Sequence, residues 1–258
     1  MRLKDKIALI TGSSRGIGKS IALQYATEGA KVIVSATTLE SAEKTANKIK
    51  QTGGEAFAIA VDIANKDNVF AMYEKIFNKY DRLDIVVNNA GISMTKSTIE
   101  LTEDDWDRTI DINLKGTFLS CQIAAKKMFA QGKGCIINIS SIWGSAAAPE
   151  RAAYCASKWG VEGLSKVLAI EWASKGIRVN CIAPGYTYTD QIKELIKRGI
   201  IKEKILKKRI PLHRFASVKD IGNVAIFLAS EEASYINGEV IRVDGGFNAF
   251  GYILEQGL

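Results

Sequence analysis

The sequence predicts an α/β protein built on a parallel sheet with helices on both faces. Three observations carry this. Short apolar runs alternate with longer amphipathic ones along the whole chain, and strands that alternate with helices make parallel sheets. The runs Ile7-Ala8-Leu9-Ile10 and Ile85-Val86-Val87 are apolar throughout rather than at every second position, as strands covered on both faces are. The chain has 258 residues, 47% of them hydrophobic, which suffices for one well-buried core and a single domain over 1–258.

Taken in order, strands are expected at 6–11, 31–35, 56–61, 83–87, 135–140, 178–182 and 240–243. Helices are expected at 16–28, 39–51, 65–79, 103–131, 152–174 and 218–229, the fourth broken near Asp111-Ile112-Asn113. Gly29, Gly53-Gly54, Gly134 and Gly176 each follow a helical run and precede a strand, where a helix C-terminal glycine belongs. Thr37-Thr38-Leu39-Glu40 has the spacing of a capping box for the second helix. Helix 152–174 carries Ala153, Val161, Leu164, Val167, Leu168, Ile170 and Trp172 on more than one side. Its own sheet covers only one side, so a second subunit is expected over the other. The apolar tail from Phe247 to Leu254 is expected to pack across a subunit interface as well.

Composition excludes several classes. The apolar run 224–229 is far shorter than the ~20 residues a membrane span needs, so no membrane partner is expected. Only four apolar residues separate Lys6 from Thr11, too few for a signal peptide, and the expected location is cytoplasmic. Cys121, Cys135, Cys155 and Cys181 form no Cys-x-x-Cys pair, and His213 is the only histidine. Neither a metal site nor a histidine base is therefore expected. The formal net charge is +7, but the basic residues are dispersed without a nucleic-acid-binding signature, so no nucleic-acid partner is expected. Segment 193–209 is the exception, with eight Lys and Arg against Glu194 and Glu203 alone. A positive field there favours an anionic substrate.

The first strand runs into Thr11-Gly12-Ser13-Ser14-Arg15-Gly16-Ile17-Gly18 and then into the first helix. Glycines at this spacing allow a tight turn and a close backbone approach, and the helix N-terminus offers free N–H groups to a pyrophosphate. Gly12, Ser14, Arg15, Gly16, Ile17 and Gly18 are the candidate contacts. A site for NAD(H) usually places Asp or Glu ~20 residues beyond the glycines. Here the second strand ends in Ser35-Ala36-Thr37-Thr38, and the first carboxylate is Glu40. Arg15 paired to a 2′-phosphate, with hydroxyls from Ser35, Thr37 and Thr38, points to NADP(H) ahead of NAD(H).

Tyr154 and Lys158 lie four residues apart, on one face of a helix. An ammonium beside a phenol favours the phenolate, which brings Tyr154 towards a working general acid/base. Asn88-Asn89-Ala90-Gly91 and Asn138-Ile139-Ser140-Ser141 follow the fourth and fifth strands, at the sheet edge where open parallel sheets bind ligands.

Jointly these motifs resemble the short-chain dehydrogenase/reductase family over essentially the whole chain. The matching residues are Thr-Gly-x-x-x-Gly-x-Gly at 11–18, Asp62, Asn-Asn-Ala-Gly at 88–91, Asn113, Ser141, Tyr-x-x-x-Lys at 154–158, and Pro184-Gly185 with Thr189. The resemblance implies a Rossmann-type three-layer sandwich with seven strands in the order 3-2-1-4-5-6-7. It implies Tyr154 as acid/base, Lys158 on the nicotinamide ribose, Ser141 orienting the carbonyl and Asn113 holding a relay water. Asp62 and Ile63 would flank the adenine. Asn89, Ala90 and Gly91 would lie beside the cofactor, with Asn88 as a sugar contact. Pro184, Gly185, Thr187 and Thr189 would cover the nicotinamide. Ser141, Trp143, Tyr154 and Tyr186 would meet substrate beneath a lid at about 187–213, in a homotetramer. The implied activity is NAD(P)(H)-dependent interconversion of a carbonyl and a secondary alcohol. The nearest look is to 3-oxoacyl-[acyl-carrier-protein] reductases, with sugar-acid or polyol dehydrogenases of the gluconate 5-dehydrogenase kind as the alternative. Lys133 and Lys175 stand where the first kind carries basic docking residues, but the adjoining Gly132 is not basic. A non-catalytic dinucleotide sensor is the alternative of another class, and the intact set Asn113, Ser141, Tyr154 and Lys158 argues against it.

Overall fold

In the computed structural model, which describes residues 1–251, seven strands make one parallel sheet. They are β1 (Ile7–Ile10), β2 (Lys31–Ala36), β3 (Ala56–Ala60), β4 (Ile85–Asn88), β5 (Gly134–Ile139), β6 (Ile177–Pro184) and β7 (Val240–Val243). Their order is β3-β2-β1-β4-β5-β6-β7, as the resemblance implies. In the register of the central strands, Val86 lies between Leu9 and Ile136.

Helices α1 (Gly16–Thr27), α2 (Leu39–Gln51) and α9 (Val218–Ala229) cover one face. On the other lie α3 (Lys66–Lys79), α5 (Gly116–Gln131) and α6 (Ala152–Trp172). Ala8 and Ile10 point into the first layer, Ile7 and Leu9 into the second. This double burial explains the unbroken apolar strands, since each fully buried aliphatic side chain contributes about 1.5–3 kcal/mol. The strands thus hold a stiff frame whose C-terminal edge carries every loop discussed below. Among the described residues, no helix is long and apolar enough to cross a membrane.

Local signals are met with shifts. Helix α2 is capped by Thr38, whose side chain accepts from the Ser41 N–H at 3.3 Å. The expected box from Thr37 to Glu40 does not form, because Glu40 pairs with Lys44 at 2.7 Å. Complete capping boxes open α4 (Glu103–Ile110), from Thr102 and Asp105, and α9, from Ser217 and Asp220. Gly132, at φ +68°, is the left-handed residue that ends α5. The expected Gly134 instead opens β5, where backbone polar groups join the ladder. The break expected near Asp111–Asn113 is a π-turn, Asp111–Lys115, between α4 and α5. Such wide turns free a carbonyl and re-aim side chains.

Two helices were not read from the sequence, α7 (Asp190–Lys197) and α8 (Glu203–Arg209). Both fall in the segment expected as a lid. Phe247 is buried within its own chain, edge-on to Trp143 at 5.7 Å and to Tyr186 at 5.9 Å between centroids. Phe250 lies under the Arg209 guanidinium at 5.2 Å. Phe247 and Phe250 thus make contacts within their own chain beside the substrate loops, and residues 252–254 of the tail lie outside the described residues.

Candidate active site

The glycine loop leaves β1 and enters α1 at Arg15, the N-cap residue, whose side chain makes no capping bond. The first N–H groups of α1 are therefore not satisfied by a side chain, which suits an anion. Two glycines are fixed by close approach. A Cβ at Gly12 would sit 2.9 Å from the Ala90 Cα, and one at Gly18 would overlap the Asn89 side chain and the Gly12 carbonyl. Asn89 braces this packing, donating from Nδ2 to the carbonyls of Thr11 at 2.9 Å and Gly12 at 3.1 Å. The Thr11 hydroxyl accepts from the N–H groups of Asn89 and Ala90, both at 3.0 Å. Ser14 and Ile17 are half-buried in the same turn, and a Cβ at Gly16 would touch Thr189 from the β6 loop. The turn is thus roofed on one side by Asn89-Ala90-Gly91 and on another by the segment ending at Thr189.

Arg15 is exposed and makes no ion pair among the described residues. Thr37 is exposed beyond β2, and the two residues between β2 and α2, Thr37 and Thr38, carry no carboxylate. The donors present fit a 2′-phosphorylated dinucleotide. Ser35 is a correction: it is fully buried, and its hydroxyl has no partner and faces no solvent. Its backbone instead ties β2 to the loop, its N–H donating to the Ser13 hydroxyl at 3.1 Å. Two other expected contacts also turn inward. Ile63 packs its side chain in the core beside Gly116, leaving Asp62 exposed at the rim with its carboxylate accepting from the Ala64 N–H at 3.0 Å. Asn88 is no sugar contact. It donates to Asn138 at 2.8 Å and accepts from Ser120 at 2.6 Å inside a buried network.

The catalytic candidates converge at the C-terminal edges of β4 and β5. Tyr154 and Lys158 rise from α6, with the Lys158 Nζ 5.8 Å from the phenol ring centroid. Nζ donates to the Ile139 carbonyl at 2.7 Å. A Cβ at Gly91 would lie 3.2 Å from the Asn113 Oδ1 and 3.6 Å from Nζ, so all three residues meet at one spot. Asn113 is buried in the π-turn. Its Oδ1 accepts from the Ile92 N–H at 2.8 Å, and its Nδ2 donates to the Ile92 carbonyl and the Ser157 hydroxyl, each at 3.0 Å. Both amide hydrogens are engaged, so the side chain clamps the β4 loop to α6. The Asn113 main-chain carbonyl accepts from the Thr117 hydroxyl at 2.9 Å. Ser141 caps the turn Ile142–Gly144, its hydroxyl accepting from the Trp143 N–H at 3.2 Å.

Electrostatics depart from the sequence reading at the phenol. Burial dominates and holds the Tyr154 pKa above its ordinary value, against opposing pulls from the Ser141 hydroxyl and then the Arg151 charge. Lys158 is not what offsets it. Burial acts on Lys158 too and lowers its pKa to about 8, with weaker upward pulls from Cys181 and Glu162. An ammonium taken out of water is the less stable form of the pair until an anion or hydroxyl joins it.

Above this centre, Pro184 ends β6 and Gly185 packs on Asp244. The buried Thr187 donates to the Gly185 carbonyl at 3.0 Å, and Thr189 caps α7. Tyr186 stacks on Phe215 at 5.3 Å, and with Trp143 and Phe247 it forms the aromatic wall on the substrate side. Tyr188 bonds to Glu203, which pairs with Lys207 at 2.6 Å, so the β6 loop is tied to α8. A cavity of about 570 Å³ opens against Trp143, Arg209, Arg242 and Asn248. Sequence reasoning missed Arg151, Glu162 and Ser157. Glu162 is buried one turn beyond Lys158 and accepts from Ser140 at 2.7 Å. The four-residue step from Lys158 was its only mark in the sequence.

Fold and site together define an oxidoreductase that works with a nicotinamide dinucleotide. The family profile described as enoyl-(acyl carrier protein) reductase matches residues 12–248. The chain is 46% identical over 242 residues to a 3-oxoacyl-[acyl-carrier-protein] reductase of Staphylococcus aureus, covering 93% of this chain and 97% of the relative. It is 42% identical to a D-threitol dehydrogenase of Mycolicibacterium smegmatis over 95% of this chain and 94% of the relative. Among solved structures, a gluconate 5-dehydrogenase of Burkholderia cenocepacia in complex with NADP and tartrate matches at a TM-score of 0.92 and 36% identity, covering 96% of this chain and 97% of that one. The chain belongs to the short-chain dehydrogenase/reductase family, whose members act on CH–OH or carbonyl groups with NAD(P).

Proposed function

We propose that the protein interconverts a carbonyl and a secondary alcohol with NADP(H), its preferred substrate a 3-oxoacyl thioester. The observation that carries the chemistry is the convergence of Gly91, Asn113 and Lys158 beside Tyr154 at the sheet edge. The observation behind the cofactor is Arg15, without an ion pair among the described residues at an uncapped helix N-terminus, with no carboxylate between β2 and α2. Bound NADPH supplies the hydride. The chain's own residues do the rest. Ser141 holds the substrate oxygen towards the phenol, and Tyr154 donates its proton as the alkoxide develops; the raised phenol pKa keeps that proton in place until it is needed. Lys158, already close to its proton-losing range, would donate to the ribose hydroxyls of the bound cofactor, which favours its charged form. Asp62 at the rim and Thr187 and Thr189 over the nicotinamide complete the enclosure, with 187–213 as the lid. Thioesters are favoured by the 46% identity to the Staphylococcus aureus reductase.

A hydroxy acid of the sugar type is the second reading. It is favoured by Gly132, which leaves the docking edge with Lys133 and Lys175 only, and by the arginines on the substrate side. The exposed apolar residues on α5 and α6 support a homo-oligomer, a tetramer as is usual in the family, and the free cysteines among the described residues agree with a cytoplasmic enzyme. One absorbance screen tests all this: NADPH and NADH with 3-oxoacyl thioesters and keto-sugars, and the oxidised cofactors with polyols and sugar acids. Tyr154→Phe is expected to lower turnover at least ~10²-fold while the NADPH dissociation constant stays within about threefold. Retained turnover removes the phenol from this role.

A further inference from the structure

The mouth of the cleft holds a charge that the proposed reaction does not use. Arg151 is the N-cap residue of α6, three residues before Tyr154. The preceding Glu150 is in the left-handed region at φ +61°, and its carbonyl accepts from the Lys96 N–H at 3.0 Å, so the loop that presents Arg151 is fixed. From there the guanidinium Nη1 donates to the Ser93 hydroxyl, joining the start of α6 to the loop after β4. Ser93 follows Ile92, whose N–H and carbonyl are both clamped by Asn113. Arg151 therefore stands on a rigid row that runs from Asn113 through Ile92 and Ser93 back to the turn carrying Tyr154. It is half-buried, and no carboxylate pairs with it among the described residues. Its Nη2 and Nε make no hydrogen bond there.

We propose that Arg151 binds a carboxylate on the substrate and so selects hydroxy acids over neutral polyols. The inference rests on the second substrate reading above. Two parallel N–H donors match two carboxylate oxygens. Partial burial strengthens the pair relative to one in open water. Its charge also acts on two phenols of the cleft, Tyr154 and Tyr186, lowering the pKa of each against burial. The guanidinium thus lies within reach of both phenols and of Ser93.

The test compares wild type, Arg151→Met and Arg151→Lys, each loaded with NADP⁺. Sodium D-gluconate is set against D-glucitol, which carries CH₂OH where gluconate carries carboxylate. Calorimetry reads binding, NADPH absorbance reads turnover, and NADP⁺ affinity reports that the variants fold. For Arg151→Met, gluconate affinity is expected to fall about 10- to 100-fold, at least tenfold more than glucitol affinity, with the loss carried by KM. Arg151→Lys is expected to restore part of it. Equal losses on both ligands, or none on gluconate, overturn the proposal. A wild-type holoenzyme that binds no gluconate also overturns it. Turnover of a 3-oxoacyl thioester, measured in parallel, judges the Tyr154 chemistry separately.

Discussion

Lys158 is an ammonium held where water barely reaches, 5% exposed, with one hydrogen bond to the Ile139 carbonyl. Burial brings its pKa from 10.5 down to about 8. In the unfolded chain the same amine keeps its proton up to ~10.4. Between those values the unfolded state binds more protons, so stability rises with pH. The cost of burying the charge is fully present below about pH 8 and is relieved as pH climbs towards 10.5. Lys158→Met removes that gain. The stability of wild type minus that of the variant is expected to grow by roughly 2 kcal/mol between about pH 8 and about pH 10. Urea unfolding at the two pH values measures it; a difference that stays constant means the amine is not buried in solution. The pairing of Tyr154 with Lys158 was legible from four-residue spacing read together with the motifs that end β4 and β5. The sign at the phenol was not, because spacing carries no information on how much water each group keeps.

Strand ends carried a different ambiguity. Asn88 and Asn138 pair in register as the last or penultimate residues of β4 and β5, and a polar residue at that edge reads as a ligand contact. Both instead face inward. Asn88 joins Tyr73 through Ser120, and Asn138 donates to Ser165 at 2.8 Å, which also receives the Cys181 thiol at 3.1 Å. The chain of bonds stitches α3, α5 and α6 to the sheet directly beneath the catalytic loops. Hydrophobic periodicity could place these elements, as it did for all seven strands, but a buried polar network breaks the rule that placement relies on. The π-turn was visible only as a gap in amphipathicity near Asp111, and what it does, turning Asn113 onto Ile92, needed coordinates. Asn138→Ala leaves the Asn88 amide and the Ser165 hydroxyl short of a partner in a dry interior. A loss of roughly 3 kcal/mol is expected, read as a lower urea midpoint with an unchanged slope. A loss below about 1 kcal/mol would show that water enters and replaces the bonds.

The whole molecule presents an asymmetry between its two helical layers. α1, α2 and α9 turn their large apolar side chains inward apart from Leu39, whereas α5 and α6 expose Phe118, Phe129, Trp159, Val167 and Ile170, the last at 81%. The excess of apolar residues on helix 152–174 made this legible in the sequence, because a helix covered only by its sheet needs one apolar stripe. At the start of the tail, Phe247 meets a ready-made cluster around Trp143 and Tyr186. A bare face of this kind is expected to be covered by another copy of the chain, since contiguous apolar surface is costly to hydrate. It also lies behind the helix that carries Tyr154 and Lys158, so association would stiffen the catalytic turn from outside. Charges placed there must be desolvated on association. The pair Val167→Asp and Ile170→Asp is therefore expected to shift the light-scattering mass from a multiple of 28.1 kDa towards one copy at micromolar concentration. Monomer unfolding should change by less than about 0.5 kcal/mol per substitution, as is usual for surface positions. Wild type running as a monomer under the same conditions would leave these side chains without a partner and remove the subunit contact from the account.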